Sequence, residues 1–494
     1  MQFHVPLIIR GRIIEDRDLE FGGRRGGVAF TTPDVKKHLA NLPLTSPAQL
    51  ADLHALPFDE VLGYLDRLGD RLSLENNAYL QEAVELSMLT SGLSPGIVRN
   101  FFATIGQSYQ REFVREYAEN SIGIKFLEGW VPREMANGCS ANIRAFGARA
   151  VHVLAGNVPV PSSMGVVRNA IARSDAIFKT PSNDPLTAAA IARTMIDMDP
   201  THPITRHLSV AYWKGGDTEI EESLYTPDNI DKIVAWGGEA SMRHITRYIQ
   251  PGIDLVALDP KLSSAILGHD AFENDAVMRE VAHRLALDVG YLNQQACSSA
   301  RVVYVQTGTD EAGIELANRF GNLLYQAVQA LPETASGPGP LTQELTDELQ
   351  SLSIMSDEHR VFGGGADGAV IVSQVDEPVD FARLLSERVC NLVPFDDIEL
   401  PIQSVNSYTQ TIGVYPDSLK EDIRDRCVFN GAQRMTSLGY MLKSAMAGPH
   451  DGIEPVRRMC KWIVDETNEP ERVSLLAPLP HQFEEVANKA TVPA

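Results

Sequence analysis

The chain has 494 residues, 43 Lys+Arg against 65 Asp+Glu, and a formal net charge of -22. Its 44% hydrophobic and 22% charged residues exclude disorder as the main state, and at roughly 150 residues per domain the length predicts two to four domains. The acid excess argues against nucleic acid as a partner, and no apolar run reaches the ~18 residues a membrane span requires.

The opening MQFHVPLIIRGRII lacks a charged leader and a cleavage site, so a cytoplasmic location is expected. Residues 1–147 read as a mostly helical region. Leu50, Leu53, Leu56, Val61, Leu62, Leu65 and Leu68 recur at helical spacing within 47–74. A second helix is predicted over 77–90, capped by Asn76 or Asn77 and closed by Gly92 and Pro95. The basic glycine run at 22–27 reads as a solvated turn, and the first forty residues carry no recognisable motif.

From about residue 148 the pattern becomes regular. Apolar runs at 150–155, 175–179, 207–213, 231–236 and 253–258 read as buried strands, separated by helix-like stretches near 162–173, 184–197, 217–224 and 239–249. Asp184 and Pro185 form a helix-start signal. Strands alternating with helices predict a doubly wound α/β sheet. Its ligands bind at the carboxyl ends of the strands, where Gly156-Asn157, Lys179 to Ser182 and Gly237-Gly238 fall. A second α/β region follows a boundary near 267, with a helix over 272–290, a strand at 301–305, a helix over 310–331 and strands near 368–374 and 409–415.

Gly363-Gly364-Gly365-Ala366-Asp367-Gly368 satisfies a dinucleotide fingerprint, but the AVIVSQV after it reads as a strand, so a hairpin or loop is expected there. No metal-binding motif appears. Five cysteines without a C-x-x-C pair exclude a disulfide framework or a zinc site. His244 and His283 read as core or surface residues, and His450-Asp451-Gly452 fits a turn or part of a site equally. Cys297 stands apart, in a polar turn where a helix meets a strand. Its neighbours Asn293, Gln294, Gln295, Ser298 and Ser299 would leave a thiolate reachable and hydrogen-bonded, whereas a structural cysteine prefers an apolar face. On composition alone a nucleophile and a structural thiol both remain open.

Four segments taken in order, AGNVPVPS, IFKTPSNDPLT, VAWGGEAS and LNQQACSSARVVYV, resemble the aldehyde dehydrogenase superfamily. The endings NGAQRMTSLGY and GPHDGIEPVRRMCKWIVDE, together with AGNVPVPS, are similar to the LuxC-type acyl-CoA reductases, the reductase part of a fatty-acid reductase complex. The resemblance covers the chain from about residue 40. It implies two doubly wound α/β domains, for cofactor (148–267) and catalysis (268–445), behind the helical N-terminal region, with a C-terminal oligomerisation segment at 446–494. It implies Cys297 as nucleophile, Asn157 as oxyanion donor, and Lys179, Thr180, Ser182, Gly237 and Gly238 as the cofactor-binding set.

The resemblance has informative departures. Ala257 stands where hydrolytic members carry the glutamate that activates water, as a reductase starting from a thioester requires. FDDIELPIQ (395–403) occupies the region of a later Glu-Ile-Phe-Gly-Pro element. Ser182 replaces the glutamate that NAD-preferring members place three residues after the lysine, so NADPH is expected as cofactor, with NADH as a second donor. The implied activity is reduction of an acyl-CoA or another acyl thioester to an aldehyde through an acyl-Cys. A hydrolytic aldehyde dehydrogenase and a non-catalytic scaffold subunit are the alternatives. The implied partners are an acyl-protein synthetase, an acyl transferase and further copies of the chain.

Overall fold

The computed structural model describes residues 3–22, 28–134, 140–354, 357–443 and 448–467. Residues 23–27 of the basic turn, Cys139 and the tail from residue 468 lie outside them.

The five apolar runs form parallel strands, Arg149–Val153, Asp175–Lys179, Leu208–Ala211, Lys232–Trp236 and Asp254–Leu258. In space the order is 254–258, 232–236, 149–153, 175–179, 208–211. The chain therefore starts in the middle, winds outward on one side and returns to the other. That leaves a switch point between 149–153 and 232–236, where such sheets bind ligands. Both faces are buried, which is why the strands read as near-continuous apolar runs. Ala150, Ala176, Phe178, Val234 and Val256 pack towards helices Val160–Ala172 and Thr187–Met198. Their neighbours Val151, Val153, Ile177, Ile233 and Ala235 pack towards Thr218–Leu224 and Glu239–Ile245. The helix expected from Asp184 begins at Thr187 instead. Asp184 is buried and accepts hydrogen bonds from the Ser162 and Thr187 hydroxyls.

The N-terminal region is helical over Phe58–Arg71, Ala78–Thr90, Pro95–Thr104 and Arg111–Ser121. Asn77 caps the second of these through Leu80 N. The helical stretch over 47–74 breaks at Leu56-Pro57, where Leu56 is extended and proline supplies no N–H. The described residues within 3–32 depart from the helical expectation and contribute strands. Leu7–Ile9 pairs antiparallel with Leu208–Ala211, and Arg12–Ile14 follows across a turn at Arg10-Gly11 with φ of 49° and 81°. Strands of three residues are too short for a periodic signal to register.

The second sheet runs in the order 359–363, 369–373, 389–394, 300–305, 262–267, 409–415, 434–437, parallel except for its first strand. Leu262–Leu267 pairs inside this sheet, so the chain crosses between sheets at 259–261 and the boundary expected near 267 moves earlier. The Gly363–Gly368 stretch joins two antiparallel strands, so no helix N-terminus follows it. Lys461–Thr467 pairs with Ser140–Phe146, which pairs with Val131–Glu134. Among the described residues no helix is long and apolar enough to cross a membrane.

Candidate active site

Helix Asp275–Gly290 reaches strand Ala300–Val305 through a turn in which Leu292, Asn293 and Gln294 have φ of 53°, 50° and 61°. Three consecutive left-handed residues other than glycine persist only where contacts over-determine them. Leu292 N donates to Ala335 O at 2.8 Å, and Asn293 Oδ1 accepts from Gly337 N at 2.9 Å. Gln294 accepts from Val389 N at 3.0 Å and donates to Ala300 O at 2.8 Å. Asn293 and Gln294, expected to solvate a thiolate, are instead buried and fasten the turn. The Ser336–Pro340 stretch serves as part of its anchor.

Cys297 is half-buried, whereas Cys390, Cys427 and Cys460 are fully buried, their thiols pushed up to about 12, 11 and 12. Ser263 Oγ donates to Cys297 O at 2.8 Å and accepts from Thr411 N at 3.1 Å, tying together the starts of three adjacent strands. Gln410 Nε2 donates to Cys297 Sγ at 3.1 Å and to Asp451 Oδ1 at 2.5 Å. Burial raises the Cys297 thiol pKa and the Asp451 charge adds to it. Gln410 and the backbone N–H groups of Cys297 and Ser298 favour the anion. The sequence reading missed Gln410; the one signal was a glutamine between two threonines at the start of a buried strand, TQTIGVY. Asp451, left open between turn and site, lies beside the nucleophile, and His450 meets the Trp236 ring edge-on at 5.5 Å.

Asn157 sits just beyond strand Arg149–Val153 and crosses to the second sheet, where Nδ2 donates to Gln295 O at 2.7 Å. Gly156 permits this path, because a Cβ there would lie 2.0 Å from Asn183 Oδ1. Ala257 is half-buried near the end of Asp254–Leu258 and carries no base. Within FDDIELPIQ, Glu399 pairs with Arg426 on a neighbouring helix and does not face the turn. The carboxylate that does is the buried Glu387, whose Oε1 accepts from Gln295 Nε2 at 2.7 Å.

At the first sheet, Lys179 ends strand Asp175–Lys179 with its ammonium 6.0 Å from the Trp213 ring centroid, and it has no hydrogen-bond acceptor among the described residues. Burial lowers its pKa and the charge of Glu221 opposes this. Ser182 is half-buried with a free hydroxyl among the described residues. Thr180, expected as a second donor, is fully buried and its hydroxyl donates to Ala211 O at 3.4 Å, so it does not face a ligand. Gly238 is open, with nothing within 4 Å of an added Cβ, and at Gly237 such an atom would meet only Ser241, at 3.2 Å. A further residue the sequence reading missed is Glu221. Its buried carboxylate accepts from Trp213, Gly216 N and Tyr248 and meets His244 Nε2 at 2.5 Å, joining the loop after Leu208–Ala211 to the next helix. A free ammonium, a free hydroxyl and an open glycine around the switch point fit a dinucleotide.

Two doubly wound sheets facing one another across a cysteine-bearing turn define an aldehyde dehydrogenase fold. Lactaldehyde dehydrogenase from Escherichia coli matches it with a TM-score of 0.69 at 15% identity, covering 95% of this chain and 100% of that one. An NADP-dependent glyceraldehyde-3-phosphate dehydrogenase from Bacillus halodurans C-125, solved with NADP, gives 0.66 at 15% identity, covering 94% and 100%. Within that fold the chain belongs to the acyl-CoA reductase (LuxC) family, which matches residues 53–462. The long-chain acyl-protein thioester reductase of Vibrio harveyi is 27% identical, covering 94% of both chains. That of Photorhabdus laumondii is 31% identical, covering 71% of this chain and 70% of its own.

Proposed function

We propose that the chain is an acylating reductase that moves an acyl group from a thioester onto Cys297 and releases it as an aldehyde, with NADPH as reductant. The observation that carries the reading is a half-buried cysteine whose sulfur is met by the Gln410 amide and by backbone N–H groups, in a chain that has Ala257 and no base at the end of strand Asp254–Leu258. The Cys297 thiolate attacks the thioester carbonyl, an S–C bond forms, and the carrier thiolate leaves and takes a proton. The second Nδ2 hydrogen of Asn157, the first being held by Gln295 O, and the Cys297 backbone N–H are the donors for the oxyanion. With no glutamate at position 257, the acyl-Cys escapes activation of water from that side.

The bound dinucleotide supplies the hydride that reduces the acyl-Cys. Lys179, Ser182 and the Gly237-Gly238 turn would hold it, and the neutral Ser182 favours NADPH while admitting NADH. Residues 148–258 serve as the cofactor domain and 262–443 as the catalytic domain. The names of the relatives support an acyl-protein thioester as donor and the family description an acyl-CoA; an acyl-protein synthetase and an acyl transferase in the cytoplasm would be its partners. Trp130, Ile463 and Val464 are 42%, 42% and 52% exposed in and beside the three-stranded sheet, which suits pairing between copies of the chain.

The test is incubation with a long-chain acyl-CoA, scored by intact mass and NADPH consumption. The wild-type protein should gain one acyl group on Cys297, and Cys297→Ala should gain none and lose reduction. A Cys297→Ala protein that still forms the adduct, or reduces acyl-CoA near the wild-type rate, overturns the proposal.

A further inference from the structure

A carboxamide has nearly the same shape either way round, so its neighbours decide which end meets a given atom. At Gln410 the deciding neighbour is Asp451. An ionised carboxylate only accepts hydrogen bonds, so the –NH2 of Gln410 must face Asp451 Oδ1, 2.5 Å away. The same nitrogen lies 3.1 Å from Cys297 Sγ and has one hydrogen left for it. Turned over, the amide oxygen would face a carboxylate and a thiolate together.

Asp451 is itself held in place by its turn. His450 and Ile453 exchange backbone hydrogen bonds at 2.7 and 3.0 Å, with Asp451 and Gly452 at φ of 52° and 73° between them. Its side chain is 2% exposed, and Oδ2 has no hydrogen-bond partner among the described residues, His450 Nδ1 standing 3.5 Å away. Burying a half-satisfied carboxylate is costly, and a backbone turn closed by its own N–H and C=O groups does not require one.

We infer that Gln410 is a positioning residue for the nucleophile and that Asp451 fixes it so that an N–H, not a carbonyl, meets the Cys297 sulfur. The inference rests on the reading of Cys297 as acyl acceptor. An N–H on the sulfur stabilises the thiolate far more than the thiol, both at attack and when collapse of the reduced intermediate returns the thiolate. The other charged groups around the sulfur are Arg301 and Arg434; around Asp451 they are Lys261, Asp259 and Arg168, with His450 beside them.

Asp451 acts on the thiol in two opposed ways, orienting the donor while its negative charge disfavours the thiolate. A single substitution at 451 mixes the two, so the test is a double-mutant cycle. The rate of iodoacetamide alkylation at Cys297 is followed against pH on the full chain by mass spectrometry. Gln410→Met, near-isosteric and without a donor, should move the midpoint up by about one pH unit, read as about tenfold slower alkylation below it. In an Asp451→Asn background the carboxamide is free to turn over, and the same substitution should move the midpoint less than half as far. No shift for Gln410→Met, or the same shift in both backgrounds, overturns the inference. If Gln410→Met fails to fold, Gln410→Leu supplies the same comparison. The acyl adduct of the wild-type protein is scored in parallel. Its absence alongside the expected shifts would remove the acylation reading and leave the positioning standing.

Discussion

If NADPH is the reductant, as proposed, replacing Ser182 with glutamate should turn the protein towards NADH. Ser182 lies three residues beyond Lys179, the last residue of a central strand, and among the described residues its hydroxyl has no hydrogen-bond partner, so on the proposed reading it would meet a ribose substituent. A carboxylate there would face the 2′-phosphate of NADPH at close range. At ~4 Å the repulsion per unit charge is about 1 kcal/mol in a water-like medium and about 4 kcal/mol at the effective dielectric of a protein surface. The half-buried setting of residue 182 lies between these limits, so NADPH affinity should fall by about fivefold to several hundredfold. NADH carries hydroxyls at that place and gains an acceptor. Thr180 cannot compensate, because its hydroxyl is committed to Ala211 O. Fluorescence titration of both nucleotides onto the wild-type and Ser182→Glu proteins reads the ratio directly, and it should narrow at high salt. Equal loss for both nucleotides, or a wild-type protein that ignores NADPH, would refute the reasoning.

Two further outcomes are expected. Asp288 is buried, accepts from Gly439 N at 2.6 Å and Met441 N at 2.9 Å, and burial pushes its carboxyl up to about 7. Because the folded state binds this proton more tightly than the unfolded chain, the contribution of Asp288 to stability falls as pH rises from about 4 to 7 and then levels off, by at most about 1.4 kcal/mol per unit. Urea midpoints for Asp288→Asn should therefore slope less steeply than wild type across that window; parallel curves would remove the assignment. Ala257→Glu returns a general base to the end of its strand and should let water consume the acyl-Cys. Thiol release from acyl-CoA without NADPH should then continue past one equivalent at least about tenfold faster than wild type, and a burst that still stops at one equivalent would count against it.

Much of the first sheet could be read directly, because its strands are buried on both faces and announce themselves as continuous apolar runs. Asn157 and the Gly237-Gly238 turn lie just past the end of such a strand and Lys179 ends one, so each needs only the local pattern to be placed. Cys297 was located by its turn and by resemblance, and it is half-buried where Cys390, Cys427 and Cys460 are buried. The hairpin over 7–14 escaped because its strands have three residues each, and the crossing at 259–261 escaped because an apolar run does not say which sheet it will join. The remaining decisions belong to partners distant in the chain. Asn293 and Gln294 fasten a turn instead of solvating a thiolate only because 335–337 and Val389 come to meet them. The hydroxyl of Thr180 turns into the sheet because Ala211 lies there, Glu387 and not Glu399 reaches Gln295, and Gln410 reaches both Cys297 and Asp451 across separations of 113 and 41 residues. Hydrophobic periodicity is a local property and survives in the sequence. Whether a polar side chain is solvated, structural or poised against a sulfur depends on which acceptor or donor is folded against it, and tertiary packing alone supplies that partner.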